Sequence, residues 1–193
     1  MRNTSLTLLL LAVCLAALTG TAMQAQSAAG AADERFTSAT REYSLTHRRL
    51  EQSLGPIQIT TLPADLLANV NALAAAIRAE RAGARQGDLF TTELSSDLRA
   101  RIADALADHG LSPADLATDE VPEGVSRQAL ALRVGGPFPW IAGSAILPCV
   151  LDVLPPLPRE LQYRFLFRDL ALVDVHANLV VDILPDALGA TEF

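Results

Sequence analysis

The last third of the chain, "ELQYRFLFRDLALVDVHANLVVDIL" (160–184), constrains the fold more than any other stretch. Its β-branched and aromatic residues read as three strands at about 161–167, 170–175 and 179–184. A three-residue loop, His176-Ala177-Asn178, sets Val175 opposite Leu179, Val173 opposite Val181 and Ala171 opposite Ile183, with all six apolar residues on one face. Asn178 then takes the left-handed position that such loops require. A two-residue loop would set Val173 opposite Asp182 and mix the faces. A tighter turn at Arg168-Asp169 pairs Phe165 with Leu172 and Phe167 with Leu170, so the second face is apolar too, apart from Asp174 and Asp182. A sheet apolar on both faces needs two covers, and the expectation is helices on one side and a Pro-rich loop on the other.

The helices come first in the chain. From Ala31 to Leu54, Phe36, Tyr43 and Leu50 recur at seven, with Ala39, His47 and Leu54 filling the stripe. "LGP" ends this helix and "IQITTLP" reads as an extended connector. A second helix is expected to start near Pro63, with Asp65 near its positive end, a face of Leu66, Val70, Leu73 and Ile77, and Gly83 as its stop. A third, capped by Thr91 or Thr92, presents Leu94, Leu98, Ile102 and Leu106 and closes at Gly110. "SPAD" (112–115) starts a short fourth. Beyond Gly124, "ALALRV" (129–134) reads as a strand, "GGPFPW" as a rigid bend, and "AILPCVLDVL" as one or two helical turns before "PPLP". The fold class expected is α+β: N-terminal helices, three main and one short, with a C-terminal three-stranded antiparallel meander. The helical region spans 31–120, and the Pro-rich segment with the meander spans 121–193 in one globular unit with it.

The first residues have a different purpose. Arg2 is followed by an apolar run, Leu6 to Leu18, then by Gly20 and small residues, with Ala22 and Ala25 as cleavage ends. This is the layout of a secretory signal peptide (1–25), and the run falls short of the roughly 20 residues that span a bilayer. The expected product is an exported protein, periplasmic or secreted, with no stable membrane insertion. Every basic residue is Arg, and losing Arg2 deepens the formal charge of −7 by one. An acidic chain without a basic run is not expected to bind nucleic acid. Cys14 leaves with the signal, so Cys149 has no partner for an internal disulfide, and its apolar neighbours favour a buried thiol.

Chemistry-bearing residues are few. Asp174 and His176, two apart, with Asp182 nearby, are candidate metal ligands or a proton-transfer pair. A metal needs a further ligand, for which Asp182 or His47 would have to serve. The hairpin accounts for these residues without one, His176 as a turn residue and Asp174 as a strand residue. His47 sits on a helical stripe where a packed histidine is the usual outcome, and His109 sits at a helix end beside Gly110, where the dipole suits it. "GARQG" (83–87) lacks the preceding strand and following lysine of a phosphate loop. Trp140 between Pro139 and small residues is expected to plug the gap between sheet and helices, or else to anchor a partner. Arg85 and Asp88 are further partner-binding candidates.

The stretches 154–188 and 74–91 resemble a group of small exported bacterial proteins, a resemblance that implies no activity or ligand. The terminal meander also resembles the C-terminal strand pair of small periplasmic metal-homeostasis proteins. Here "VHANLV" stands where that pattern has a Pro- and Arg-containing turn, and no His-rich tract is present. No metal function, cofactor or catalytic residue is carried over. The sequence points to a non-catalytic binding or interaction module for a protein or small ligand. The alternative is a metal-binding protein or hydrolase using Asp174 and His176.

Overall fold

The computed structural model describes residues 4–55, 62–116 and 120–189, with backbone alone for 4–28. It is an α+β fold in which helices α1 (Thr4–Ser53), α2 (Pro63–Glu80), α3 (Thr92–Asp108), α4 (Pro113–Leu116) and α5 (Pro148–Leu151) accompany strands β1 (Gly143–Ser144), β2 (Leu161–Leu166), β3 (Asp169–Asp174) and β4 (Leu179–Leu184). The four strands form one antiparallel sheet in sequence order. Among the described residues no helix is long and apolar enough to cross a membrane.

Each helix follows from local chemistry. The first begins at Thr4 rather than Ala31, because the residues between carry no proline and are dominated by Leu and Ala, which favour helix. Along it, Ala32, Phe36, Thr40, Tyr43, Ser44 and His47 form the buried stripe. The expected connector falls mostly on residues 56–61, outside the described residues. In α2 Pro63 occupies the first turn, and Leu73, Ala74 and Ile77 are buried, whereas Leu66 is exposed. Thr91 caps α3 by accepting a hydrogen bond from the Leu94 N–H, and Leu94, Leu98, Ile102 and Leu106 are all buried. Each such side chain contributes roughly 1.5–3 kcal/mol by leaving water. At the short fourth helix, the Asp115 carboxylate accepts from both the N–H and the hydroxyl of Ser112, which holds its carboxyl below the usual range.

The sheet is covered on both faces. One face, with Leu161, Tyr163, Phe165, Leu170, Leu172, Leu179 and Val181, packs against Phe36, Tyr43, Ile77, Phe90 and the α3 stripe. The other, with Leu166, Ala171, Val173, Val180 and Ile183, packs under Leu130 and Phe138 from the Pro-rich segment. "ALALRV" is no strand. Arg127–Leu130 is a turn of 3-10 helix, and the backbone pairing expected there occurs just after it. The Gly135 N–H donates to the Val180 carbonyl and the Val180 N–H donates to the Gly136 carbonyl, each at 2.8 Å, which occupies part of the outer edge of β4. Strand β1 was not anticipated. Its Gly143 has no room for a side chain, since a Cβ there would lie 2.4 Å from the Phe138 ring.

Both hairpin registers differ from the expectation. In β2–β3, Phe165 pairs with Leu170 and Tyr163 with Leu172, so the turn residues are Phe167 and Arg168. The shift is by two positions and keeps the paired β2 and β3 side chains on their expected faces, but Phe167, now in the turn at φ 53°, packs with Leu166 and Ala171 and not beside Phe165. It is held by Arg168, whose guanidinium donates to the Leu188 and Gly189 carbonyls, and by Asp169, whose carboxylate accepts from the Asp186 N–H. In β3–β4, Ala171 faces Ile183 as expected, but a bulge after Leu172 sets Val173 opposite Val180 and Asp174 opposite Leu179. The loop therefore has four residues, 175–178. Asp174 sustains it by accepting the N–H groups of His176 (3.0 Å) and Ala177 (2.9 Å), and Asn178 is left-handed at φ 47°.

Asp182 is a structural anchor. Its carboxylate accepts from the N–H groups of Gly87, Leu89 and Phe90 at 2.7–2.8 Å, and from Ile183, so it pins the loop between α2 and α3 to the sheet. Asp182→Ala leaves those buried donors without an acceptor and is expected to cost about 3 kcal/mol in urea denaturation. Amide exchange should accelerate first at 87–90. Unchanged stability would show that the loop is held by packing alone.

Candidate metal site

Two elements meet at the end of the sheet nearest the β3–β4 turn. On α1, Tyr43, His47 and Glu51 recur at four and so project from one face. Above that face lies the turn with Asp174 and His176. The centre of the arrangement is Asp174, fully buried. Its Oδ2 accepts the Tyr43 hydroxyl at 2.7 Å and lies 2.6 Å from His47 Nδ1, while its Oδ1 takes the two turn N–H groups. With every other partner a donor, His47 Nδ1 carries the proton and donates. Burial and the neighbouring carboxylate push the Tyr43 hydroxyl far up, so it remains a donor as well.

This assignment determines the other ring nitrogen. His47 is 0% exposed, and its Nε2 has no hydrogen-bond partner. It lies 3.7 Å from Glu51 Oε2, and Glu51 Oε1 lies 3.6 Å from His176 Nδ1. The two imidazole rings meet edge to face with centroids 5.3 Å apart. One ligating atom each from His47, Glu51 and His176 falls within a 4.8 Å group. A tetrahedral zinc site needs donor separations of about 3.4 Å, so small side-chain rotations close this cage. Glu51 and His176 side chains are 36% and 42% exposed, which leaves the group open to solvent on one side.

The electrostatics favour a positive charge there. Burial works against charging His47, but the hydrogen bond and charge of Asp174, then Glu51 and Glu160, outweigh it and raise its pKa above 6.5. Glu160 is itself buried one helical turn away. Its carboxylate accepts the Ser44 hydroxyl at 2.8 Å and pairs with Arg159 at 3.2 Å and Arg48 at 3.9 Å. Burial opposes its ionisation, yet these partners hold its carboxyl below the ordinary 4.5.

Of the sequence candidates, Asp174 and His176 do converge, in different roles. His176 offers a ligand atom, and Asp174 supports His47 from behind. Asp182 is elsewhere, tied to the 87–90 loop. Glu51 was missed, although the spacing His47-x-x-x-Glu51 on a helix was its signal. Trp140 is no core plug. It is 45% exposed, with its indole N–H on Asn178 Oδ1 at 2.7 Å and its ring against Phe138 and the Arg164 guanidinium. Arg85 and Asp88 make a local loop contact in which the Asp88 carboxylate accepts the Arg85 N–H. Cys149 is half-buried against the core and free. His109 Nδ1 lies 2.9 Å from the Ala105 carbonyl at the end of α3. Compared with known proteins, the chain matches no family model, and no curated protein or solved structure is similar to it.

Two outcomes follow. Asp174→Ala strands the Tyr43 hydroxyl, His47 Nδ1–H and two turn N–H groups, and is expected to cost on the order of 3–5 kcal/mol by chemical denaturation. A cost under about 1 kcal/mol would remove Asp174 as the anchor. Glu160, with its depressed pKa, contributes stability that is present above about pH 4.5 and lost as pH falls through its folded value. The stability difference between wild type and Glu160→Gln should therefore shrink as denaturation is repeated below pH 4.5. A difference independent of pH would contradict it.

Proposed function

We propose that the chain is an exported, non-catalytic metal-binding protein that takes one divalent transition ion, with zinc the best match, between His47, Glu51 and His176. The observation that carries this reading is the unpartnered Nε2 of His47. A fully buried ring nitrogen without a hydrogen-bond partner is costly, and a metal ion that displaced its proton would meet it. Here it points toward a carboxylate and a second imidazole. Two imidazoles and one carboxylate suit zinc and its neighbours, and three protein ligands leave one position open. Asp174 supports the reading further, because a carboxylate on the far nitrogen of a ligating histidine sets the tautomer and makes the ligand more basic.

Zinc titrated calorimetrically into protein purified without an affinity tag should bind one ion per chain. His176→Ala and Glu51→Gln, both at partly exposed positions, should each weaken it by at least about tenfold while the fold survives. At a hundredfold excess over Kd, zinc should add about 2.7 kcal/mol to stability. Wild-type affinity in both variants would sink the reading.

A second reading is supported by the surface at Trp140, where its chain neighbour Ile141 is also exposed. It makes this edge of the sheet a contact for a partner protein, lost on Trp140→Ala with the fold intact.

A further inference from the structure

Glu51 and His176 have a second role as walls. Together with Leu54, Gly55, Leu66, Asn69, Val70 and Leu73 they line a cavity of about 300 Å³ between the end of α1 and the N-terminal half of α2. His47 is not among the lining residues. An ion held by the three ligands would border this cavity, because two of them, Glu51 and His176, line it.

We infer that this cavity receives an aliphatic monocarboxylate, its head group on the metal and its chain along Leu54, Leu66, Val70 and Leu73. This rests on the metal reading above. Three features select that chemistry. Among the described residues the side walls are aliphatic, with Asn69 the one polar side chain beyond the two ligands. No Arg is among the described residues that line the cavity, so the ion would be the cationic partner of an anionic head there. A divalent ion with one carboxylate and two neutral imidazoles carries one net positive charge, which a monoanion cancels. Without the ion, Glu51 repels the same head group. Binding of carboxylate and metal is therefore coupled, and by linkage each tightens the other. The volume is at the small end of organic-ligand sites and suits a chain of medium length.

Octanoate is the probe, titrated into zinc-loaded and metal-free protein, with octan-1-ol as a neutral control of equal length. The expected result is octanoate binding at least about tenfold tighter with zinc, and octan-1-ol binding that zinc does not change. Leu66→Asp, at an exposed wall position, should abolish octanoate binding and leave zinc binding intact. If zinc binds but octanoate affinity is the same with and without it, or survives Leu66→Asp, the carboxylate proposal falls and the metal reading stands. If zinc does not bind, both fall. A zinc-loaded dimer that octanoate fails to dissociate would assign the cavity to a second copy and overturn the proposal.

Discussion

Asp174 is the constraint around which this end of the molecule is organised. It belongs to β3, it shapes the following turn by accepting two of its N–H groups, and it holds two side chains of α1. An ionised carboxylate without water survives only when its lone pairs are filled, and four donors fill them here. The same carboxylate that closes the hairpin therefore docks the helix on it. Turn geometry and helix position cannot vary independently, and this brings residues 47 and 176 within one ion's reach.

Asp182 plays the corresponding role one strand over. Its four backbone partners belong to the loop before α3 and to its own strand. The hydrophobic contacts between sheet and helices are non-directional and tolerate sliding. These two carboxylates supply direction: one registers α1 and the other registers the α2–α3 loop. Their chemical difference lies in what surrounds them. Asp182 meets only main-chain donors, which cannot titrate or bind a metal. Asp174 meets an imidazole, whose opposite nitrogen passes the interaction outward.

The two-faced sheet and its two covers were legible in the alternation of the last strands, and so were the α3 stripe and the Thr91 cap. These are local signals, set within a few residues. The β2–β3 register was less legible because competing turns two positions apart preserve the facing of the paired side chains, whereas the β3–β4 bulge puts Leu179 and Val181 on the face opposite to the expected one. Moving β2 against β3 by two positions costs no burial, and the choice fell to Arg168 and Asp169 reaching the 186–189 segment, which no local pattern reveals. In β3–β4 the expected three-residue loop would have kept Val173 against Val181. The Asp174 hydrogen bonds favour a longer turn, and a bulge absorbs the extra residue. "ALALRV" misled because its apolar residues serve as a lid over the second face, a task that needs burial but not strand pairing.

The candidate site shows the same limit more sharply. Its helical half is written in the chain, since Tyr43, His47 and Glu51 share a face. Its other half, His176, is more than a hundred residues away, and no periodicity says which helix face meets which turn. Reading His47 as a packed histidine was correct as far as burial goes, for it is fully buried among core residues. Burial alone, however, accounts for only one of its nitrogens. A histidine retained purely for packing gains nothing over an apolar residue of similar size, because its second nitrogen then goes unsatisfied. The polar ring is explained when both nitrogens have work, Nδ1 in tying α1 to the turn and Nε2 in facing Glu51 and His176. On that argument the helix–turn junction and the proposed ion site are one device, and an ion bound there would strengthen the contact that positions its ligands.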